Sequence, residues 1–297
     1  MSESSFISWL RQQAPRDPRI VVPIGDDLAA MKWDGGDLLL VGVDQVLDGV
    51  HFDSSIHEPH QIGRKAINRN LSDCAAMACL PAAAVVSVAL PRGVGEDYAK
   101  KLHNGLRDAA DIYQCPIIGG DTGSWAGKLV VSVTILGRSA GITPITRGGA
   151  KVGNGVYVTG PLGGSMARDR HLNFKPRVEL GRQLAETGRV TAMLDLSDGL
   201  SADLPRITAA SHVGAVIDAG LVPIHADAKF LAEQTDRQPI NLALNDGEDY
   251  ELLFTATGDG PIANATRIGT IVSEQGVWLQ TGSSREPLKP AGWEHSL

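Results

Sequence analysis

Two long segments of the chain carry apolar residues at steps of three and four, the spacing of one buried helical face. In Gln61–Ala78 this pattern includes Ile62, Ala66 and Leu71, and Glu96–Tyr113 repeats it. Each segment is therefore predicted to form an amphipathic helix.

Short runs rich in Val and Ile alternate with the helical segments and predict strands. A third helix, Leu200–Ala210, should begin after Ser197, Asp198 and Gly199, since Ser and Asp favour a helix N-terminus. The alternation predicts an α/β (α+β) fold. The strand candidates are Leu38–Val43, Ala84–Leu90, Leu129–Leu136, Val156–Thr159, Met193–Leu196 and Ala215–Ile217.

A glycine-rich stretch with two basic residues, Thr146–Asn154, lies between two strand candidates. Glycines clustered between periodic segments mark a connection rather than an element. We therefore predict two domains, residues 1–150 and residues 151–297.

The overall charge of the 297-residue chain is −7, which argues against a nucleic-acid backbone as the main partner. Cys74, Cys79 and Cys115 are too few for a disulfide framework, which favours a reducing compartment. The N-terminal segment lacks the apolar stretch of a signal peptide, and no apolar run approaches the roughly 20 residues that cross a bilayer. The sequence predicts a cytoplasmic protein without a membrane segment.

Aspartates that follow apolar runs or glycines are the main chemical signal. Acids at strand ends beside glycine can converge on one crevice, where their mutual repulsion calls for divalent cations. Oxygen ligands select Mg²⁺, Mn²⁺ or Ca²⁺, and Mg²⁺ is usually shared with substrate phosphates. The pattern predicts metal-dependent phosphate chemistry, although each acid taken alone is better explained as a turn or helix-cap residue. The six acids are Asp27, Asp44, Asp73, Asp121, Asp195 and Asp198.

Other site patterns are weaker. The chain has no GxxxxGK[ST] loop, so Walker-type nucleotide binding is not expected. His51, His57 and His60 lie close in sequence and suggest a zinc site, but no second His or Cys pair completes it. We expect His57 and His60 to be solvated loop residues.

Read in order, the motif blocks resemble the thiamine-monophosphate kinase family, within the group that includes aminoimidazole ribonucleotide synthetase and selenophosphate synthetase. The blocks span residues 25 to 254, and the Gly49–Phe52 and Gly247–Leu252 blocks favour this family over its relatives. They are Gly25–Asp27, Asp48–Phe52, Asn70–Asp73 with Ala75–Met77, Ile118–Thr122, Thr146–Arg147 with Gly149–Ala150, Val158–Gly160, Asp195–Leu200 and Gly247–Leu252.

The resemblance implies an enzyme that phosphorylates thiamine monophosphate to thiamine diphosphate with ATP. It implies an N-terminal ATP- and metal-binding domain whose sheet pairs with that of a second subunit in a homodimer barrel. The C-terminal domain would close the cleft. Several Mg²⁺ ions would be bound by the six aspartates named above.

The resemblance also assigns individual roles. Asp44, Asp121 and Arg147 would act in catalysis. The ATP contacts would be Gly120, Asp121, Arg147 and Ser197, with Tyr113 near the adenine. The substrate contacts would be His51, Glu248 and Trp293.

Simpler explanations exist for several of these residues. Arg147 could be a solvated loop charge, His51 a core or capping residue, and Glu248 a surface acid. Tyr113 and Trp293 could be ordinary packing residues. A related enzyme of the aminoimidazole ribonucleotide synthetase type, and a nucleotide-binding protein without catalysis, are the alternative functions.

Overall fold

The computed structural model describes residues 3–13 and 17–293. Helices α1 to α8 are Glu3–Gln13, Pro59–Ala76, Glu96–Ile112, Arg170–Asn173, Val178–Glu186, Leu200–Ser211, Ala226–Glu233 and Pro239–Asn245. Strands β1 to β13 are Ile20–Val22, Ala29–Lys32, Leu38–Leu47, Leu80–Pro91, Ile117–Trp125, Val130–Arg138, Gly155–Val158, Val190–Asp195, Gly214–Asp218, Leu252–Ala256, Thr266–Val272, Gly276–Thr281 and Ser284–Pro287.

The first six strands form one mixed sheet in the order β1-β2-β3-β6-β4-β5. Helices α2 and α3 pack together, and α2 contacts β3, β4 and β6. The sequence prediction that a strand ends before Asp44 is wrong: β3 continues to Leu47 and pairs with β6 from Leu39 to Leu47. Asp44 therefore lies inside a strand, where the pleat directs its side chain to one face of the sheet.

Strands β7 to β13 form a second mixed sheet in the order β13-β12-β9-β11-β7-β10-β8. Each of the six strand candidates and three helix candidates falls on an observed element of the predicted type, although several ends differ, including that of β3. The α/β class is confirmed as well.

Helix α2 is buried on most of its circumference, because elements of both halves of the chain cover it. Glycines permit the close approach. A Cβ at Gly63 would lie 2.1 Å from the Leu102 carbonyl oxygen, and one at Gly181 would lie 2.2 Å from that of Ala75. The hydrophobic core around α2 is continuous with residues of β8 and β10. The polar side chains of α2 are therefore held between the two sheets.

Cys74, Cys79 and Cys115 are buried free thiols. Within residues 3–13 and 17–293, no helix is both long enough and apolar enough to cross a bilayer.

Candidate active site between the two sheets

Three aspartates from separate elements meet beside α2. Asp27 precedes β2, Asp73 lies in the last turns of α2, and Asp195 ends β8. Each offers a carboxylate oxygen, and these oxygens lie within 4.8 Å of one another. All three are among the six aspartates that the sequence predicts to converge, and the structure brings them together.

Burial makes this cluster electrostatically costly without a cation. Burial and the charge of Asp27 raise the pKa of Asp195 to about 7, although Ser72 Oγ donates to its Oδ2 at 2.5 Å. Burial and the charges of Asp44 and Asp195 hold the pKa of Asp73 well above its usual range. Two such carboxylates without a counter-charge favour protonation or a bound cation.

Arg147 supplies one counter-charge. Its Nη2 lies 2.6 Å from Asp27 Oδ1, and its backbone N–H donates to Asp26 Oδ1 at 2.9 Å. Burial alone would lower the pKa of Arg147, but the charge of Asp27 raises it above its usual value. The explanation of Arg147 as a solvated loop charge is therefore wrong. Among the described residues, Asp27 Oδ2 is buried and has no hydrogen-bond partner.

Asp44 joins the cluster through Arg69 of α2. Arg69 Nε lies 3.0 Å from Asp44 Oδ2, and Arg69 Nη1 lies 3.6 Å from Glu248 Oε1. The charge of Asp44 also contributes to the raised pKa values of Asp73 and Asp195. Arg69 thus connects the acid cluster to Glu248.

The turn that carries Glu248 lies against the turn that carries Ser197. The Glu248 N–H donates to the Ser197 carbonyl at 2.7 Å, and the Tyr250 N–H donates to that of Leu196 at 2.8 Å. Glu248 and Tyr250 both have positive φ, of 56° and 52°. Such left-handed non-glycine residues cost of order 1 kcal/mol each and often occur at functional sites.

Lys65 of α2 binds this turn. Its ammonium lies 2.6 Å from Glu248 Oε2, 2.6 Å from the His51 carbonyl oxygen and 2.7 Å from His171 Nδ1. Burial alone would raise the pKa of Glu248, but the charges of Lys65 and Arg69 lower it. Glu248 is thus a paired, ionised side chain rather than a surface acid, and it lies close to the buried His51.

Asp198 lies in the turn before α6. It pairs with Arg206, which also contacts Asp203 Oδ1 at 2.7 Å. The Trp293 N–H donates to the Asp198 carbonyl at 3.1 Å, so the C-terminal segment returns to this turn. The Trp293 side chain is 53 % exposed.

Asp121 lies apart from the cluster. Across the sheet it aligns with Ser87, Ser132 and Gln45, whereas Asp44 aligns with Val133, Val86 and Gly120. Because successive side chains alternate between faces, Asp121 and Asp44 face opposite sides of one sheet. Asp121 is also on an edge strand and exposed.

Gly120 and Tyr113 each have a role in the packing of the fold. A Cβ at Gly120 would lie 1.9 Å from the Val86 carbonyl oxygen, so only glycine fits. Tyr113 follows α3, and its hydroxyl donates to the Pro176 carbonyl at 3.0 Å.

His57 and His60 differ in their solvent exposure. His60 is half exposed and pairs with Asp108 at 3.1 Å. The expectation that His57 is solvated is wrong, because its side chain is 9 % exposed and its Nε2 lies 3.4 Å from Asp169. His57 Nδ1 accepts the Asp53 N–H, so in the neutral ring the proton lies on Nε2, which disfavours metal binding there.

Sequence reasoning missed Lys65 and Arg69. Together with Asp73 they occupy positions i, i+4 and i+8 of α2, which places them on one face. Charged residues next to the apolar positions of a long helix were the available signal. The same spacing also fits a solvent-exposed helix face. The local pattern does not distinguish an exposed face from one that lines a site.

Comparison with known proteins relates both halves of the chain to one group. The family model described as AIR synthase related protein, N-terminal domain, matches residues 25–139. The corresponding C-terminal domain model matches residues 151–280.

Individual proteins that match most of the chain belong to one enzyme family within this group. The chain is 40% identical to a thiamine-monophosphate kinase of Rhodopirellula baltica, with 99% of this chain and 97% of that protein covered. It is 34% identical to one of Bacillus subtilis, with 87% and 85% covered. A solved structure described as AaThiL complexed with AMPPCP and TMP is 29% identical, with a TM-score of 0.88, and 99% of this chain and 97% of that chain are covered.

Proposed function

Since this chain belongs to the thiamine-monophosphate kinase family, we propose that it transfers the γ-phosphate of ATP to thiamine monophosphate and forms thiamine diphosphate. The observation that carries the proposal is the buried Asp27–Asp73–Asp195 cluster beside the Glu248 turn. The similarity to a structure in complex with AMPPCP and TMP supports the choice of both substrates.

The acid cluster fits Mg²⁺. Its donor set is made of carboxylate oxygens, and Asp27 Oδ2 lacks a hydrogen-bond partner within the described part of the chain. Asp27, Asp73 and Asp195 would hold one metal ion. Asp44, which pairs with Arg69, and Asp198, three residues after Asp195, would hold further ions. Bound Mg²⁺ supplies positive charge that offsets the phosphates of ATP.

The residues themselves bind and orient the reactants. The acceptor is a phosphate monoester whose second pKa is near 6, so it is largely ionised at neutral pH and needs no strong general base. Arg147 and Arg69 can place positive charge on phosphate oxygens, while Ser197 lies in the turn beside Glu248. The task is to hold two anions in line.

The remaining assignments complete the proposal. We place the domain division near residue 150, because the strands up to Arg138 and those from Gly155 form separate sheets. Tyr113 is assigned to the adenine and Trp293, with His51 and Glu248, to the thiamine moiety. The free buried cysteines are consistent with the cytoplasm.

In a homodimer, Asp121 and the backbone of the neighbouring Gly120 would lie in an active site. Asp121 is exposed on the edge strand β5, and Ile118 and Trp125 of the same strand are exposed apolar residues. Such an edge favours pairing with a second chain. We assign Asp121 to the site of the partner copy, since it faces away from the cluster of its own chain.

Mixing two inactive variants tests this assignment. Asp73→Asn and Asp121→Asn should each lack turnover. After unfolding and refolding together, the mixture should recover about a quarter of wild-type specific activity, because half of the dimers are heterodimers with one intact site each. Refolded single variants are the control. A mixture as inactive as its parents would place Asp121 in the site of its own chain, and an active Asp121→Asn parent would place it outside the reaction.

A product assay tests the function itself. The protein with ATP, Mg²⁺ and thiamine monophosphate should yield thiamine diphosphate and ADP in equal amounts, and EDTA should stop the reaction. Thiamine without its phosphate should give no diphosphate. Release of inorganic phosphate without thiamine diphosphate would contradict the proposal.

A further inference from the structure

The buried ammonium of Lys65 is the most unusual charged group of α2. The side chain is fully buried, at 0 % exposure. An isolated charge in such a place is very costly unless it is paired and hydrogen-bonded. Lys65 meets that condition, since its three N–H donors match three acceptors at 2.6 to 2.7 Å.

The three acceptors come from segments far apart in the chain. The His51 carbonyl follows β3, His171 belongs to α4, and Glu248 lies in the turn after α8. Lys65 therefore joins three segments at one point. Two of them carry residues assigned above to the acceptor substrate.

The pairing also determines which Glu248 oxygen is available. Oε2 accepts both Lys65 Nζ and the Tyr250 hydroxyl, the latter at 3.1 Å. Oε1 instead faces Arg69, and through it the Asp44 side of the cleft. The free lone pairs of Glu248 thus lie on Oε1, towards the acid cluster.

The charges around Glu248 restrict what it can bind. One carboxylate lies between the Lys65 ammonium and the Arg69 guanidinium, so its negative charge is already offset. Tyr250 and the neutral His171 are the other titratable groups that face it. A carboxylate in this setting is a poor partner for a cation but a good acceptor for an N–H donor.

We propose that Lys65 is a positioning residue that fixes Glu248 Oε1 to accept a hydrogen bond from the amino group of the substrate's aminopyrimidine ring. This inference rests on the proposed function and deepens it, because it names the part of the thiamine monophosphate that Glu248 binds. Lys65 touches no substrate and acts through Glu248.

A double-mutant cycle tests the proposal. Lys65→Met should raise the KM for thiamine monophosphate by roughly 10- to 100-fold, the loss expected for a misplaced charged hydrogen bond. The KM for ATP should change little. Lys100→Met, which removes a 63 % exposed lysine of α3, is the matched control and should leave both constants unchanged.

The readout that separates positioning from general structural support is non-additivity. If Lys65 acts through Glu248, adding Lys65→Met to Glu248→Gln should raise the acceptor KM no further. The double variant also removes both buried charges, so it stays informative where Lys65→Met alone fails to fold. An additive loss, or an unchanged acceptor KM in the folded variants, would overturn the proposal.

The substrate analogue provides the chemical test. Wild type should discriminate by about tenfold or more against the analogue in which oxygen replaces the pyrimidine amino group, and Lys65→Met should largely lose this discrimination. Equal discrimination in both proteins would overturn the inference while the kinase function stands. A wild-type protein that forms no thiamine diphosphate would overturn the function, and this inference with it.

Discussion

Replacing Asp73 by asparagine should lower kcat by about 10³-fold, the scale of a lost catalytic electrostatic contact. Asp73 is the member of the acid cluster that lies on α2, and its carboxylate is within 4.8 Å of those of Asp27 and Asp195. Asparagine keeps the size of the side chain but removes the charge that a divalent cation requires. Steady-state measurement of thiamine diphosphate formation at saturating ATP and Mg²⁺ checks the effect.

The same change should separate metal binding from folding. In wild type, Mg²⁺ at 100 times its dissociation constant should stabilise the fold by about 2.7 kcal/mol. The Asp73→Asn variant should lose most of this Mg²⁺ response in thermal unfolding, yet its metal-free Tm should not fall, because burial and like charges disfavour the native carboxylate.

A matched control excludes a general effect of losing one acid. Asp259→Asn removes a carboxylate that is 94 % exposed and pairs with a surface arginine, Arg267. It should leave both kcat and the Mg²⁺ response unchanged. Wild-type turnover by Asp73→Asn, or a full Mg²⁺ response, would remove the cluster from the mechanism.

The position of Asp73 was predictable from the sequence because a helical pattern depends on local spacing. Apolar residues at steps of three and four defined α2 to within two residues at either end. Asp195 was predictable for a similar reason, since it ends a short apolar run that became β8. Local periodicity therefore placed two of the three clustered acids on the correct elements.

The place of Asp121 was not predictable in this way. Its order in the chain suggested that it joins the other acids, but its side depends on the register of three neighbouring strands. A shift of one residue would move it to the other face. Strand β5 itself was not among the predicted strands, because an exposed edge rich in glycine shows neither alternation nor a continuous apolar run.

Lys65 and Arg69 illustrate a second limit. On a helix covered from one side, charges at these positions would be solvated, and the sequence alone fits that arrangement. Helix α2 is instead covered by elements from both halves of the chain, so both side chains are enclosed. Whether this face of α2 is exposed to solvent or lines the candidate site depends on how the two sheets pack together, which is a long-range property.

Arg147→Met should destabilise the metal-free protein by about 3–5 kcal/mol, since it leaves the buried Asp27 carboxylate without its partner. The change also releases the contact between the 25–27 segment and the connection at residues 146–154, because Arg147 Nη1 donates to the Gly25 carbonyl at 3.3 Å. Urea unfolding followed by circular dichroism measures the loss.

The surface pair of Arg285 and Glu274 provides the comparison. Its N–O distance of 2.7 Å is close to the 2.6 Å of the Arg147–Asp27 pair, but both partners are partly exposed. Arg285→Met should therefore cost at most about 1 kcal/mol. Equal losses in the two variants would show that burial of Asp27 does not set the cost.

Mg²⁺ should narrow the gap between Arg147→Met and wild type. A divalent ion held by Asp27, Asp73 and Asp195 offsets the charge that Arg147 neutralises in its absence, so saturating Mg²⁺ should restore part of the lost stability. Turnover should stay low even then, because Arg147 is assigned to a phosphate of ATP as well. If Mg²⁺ does not reduce the stability loss, Asp27 does not bind the metal. Other residues would then have to be the metal ligands.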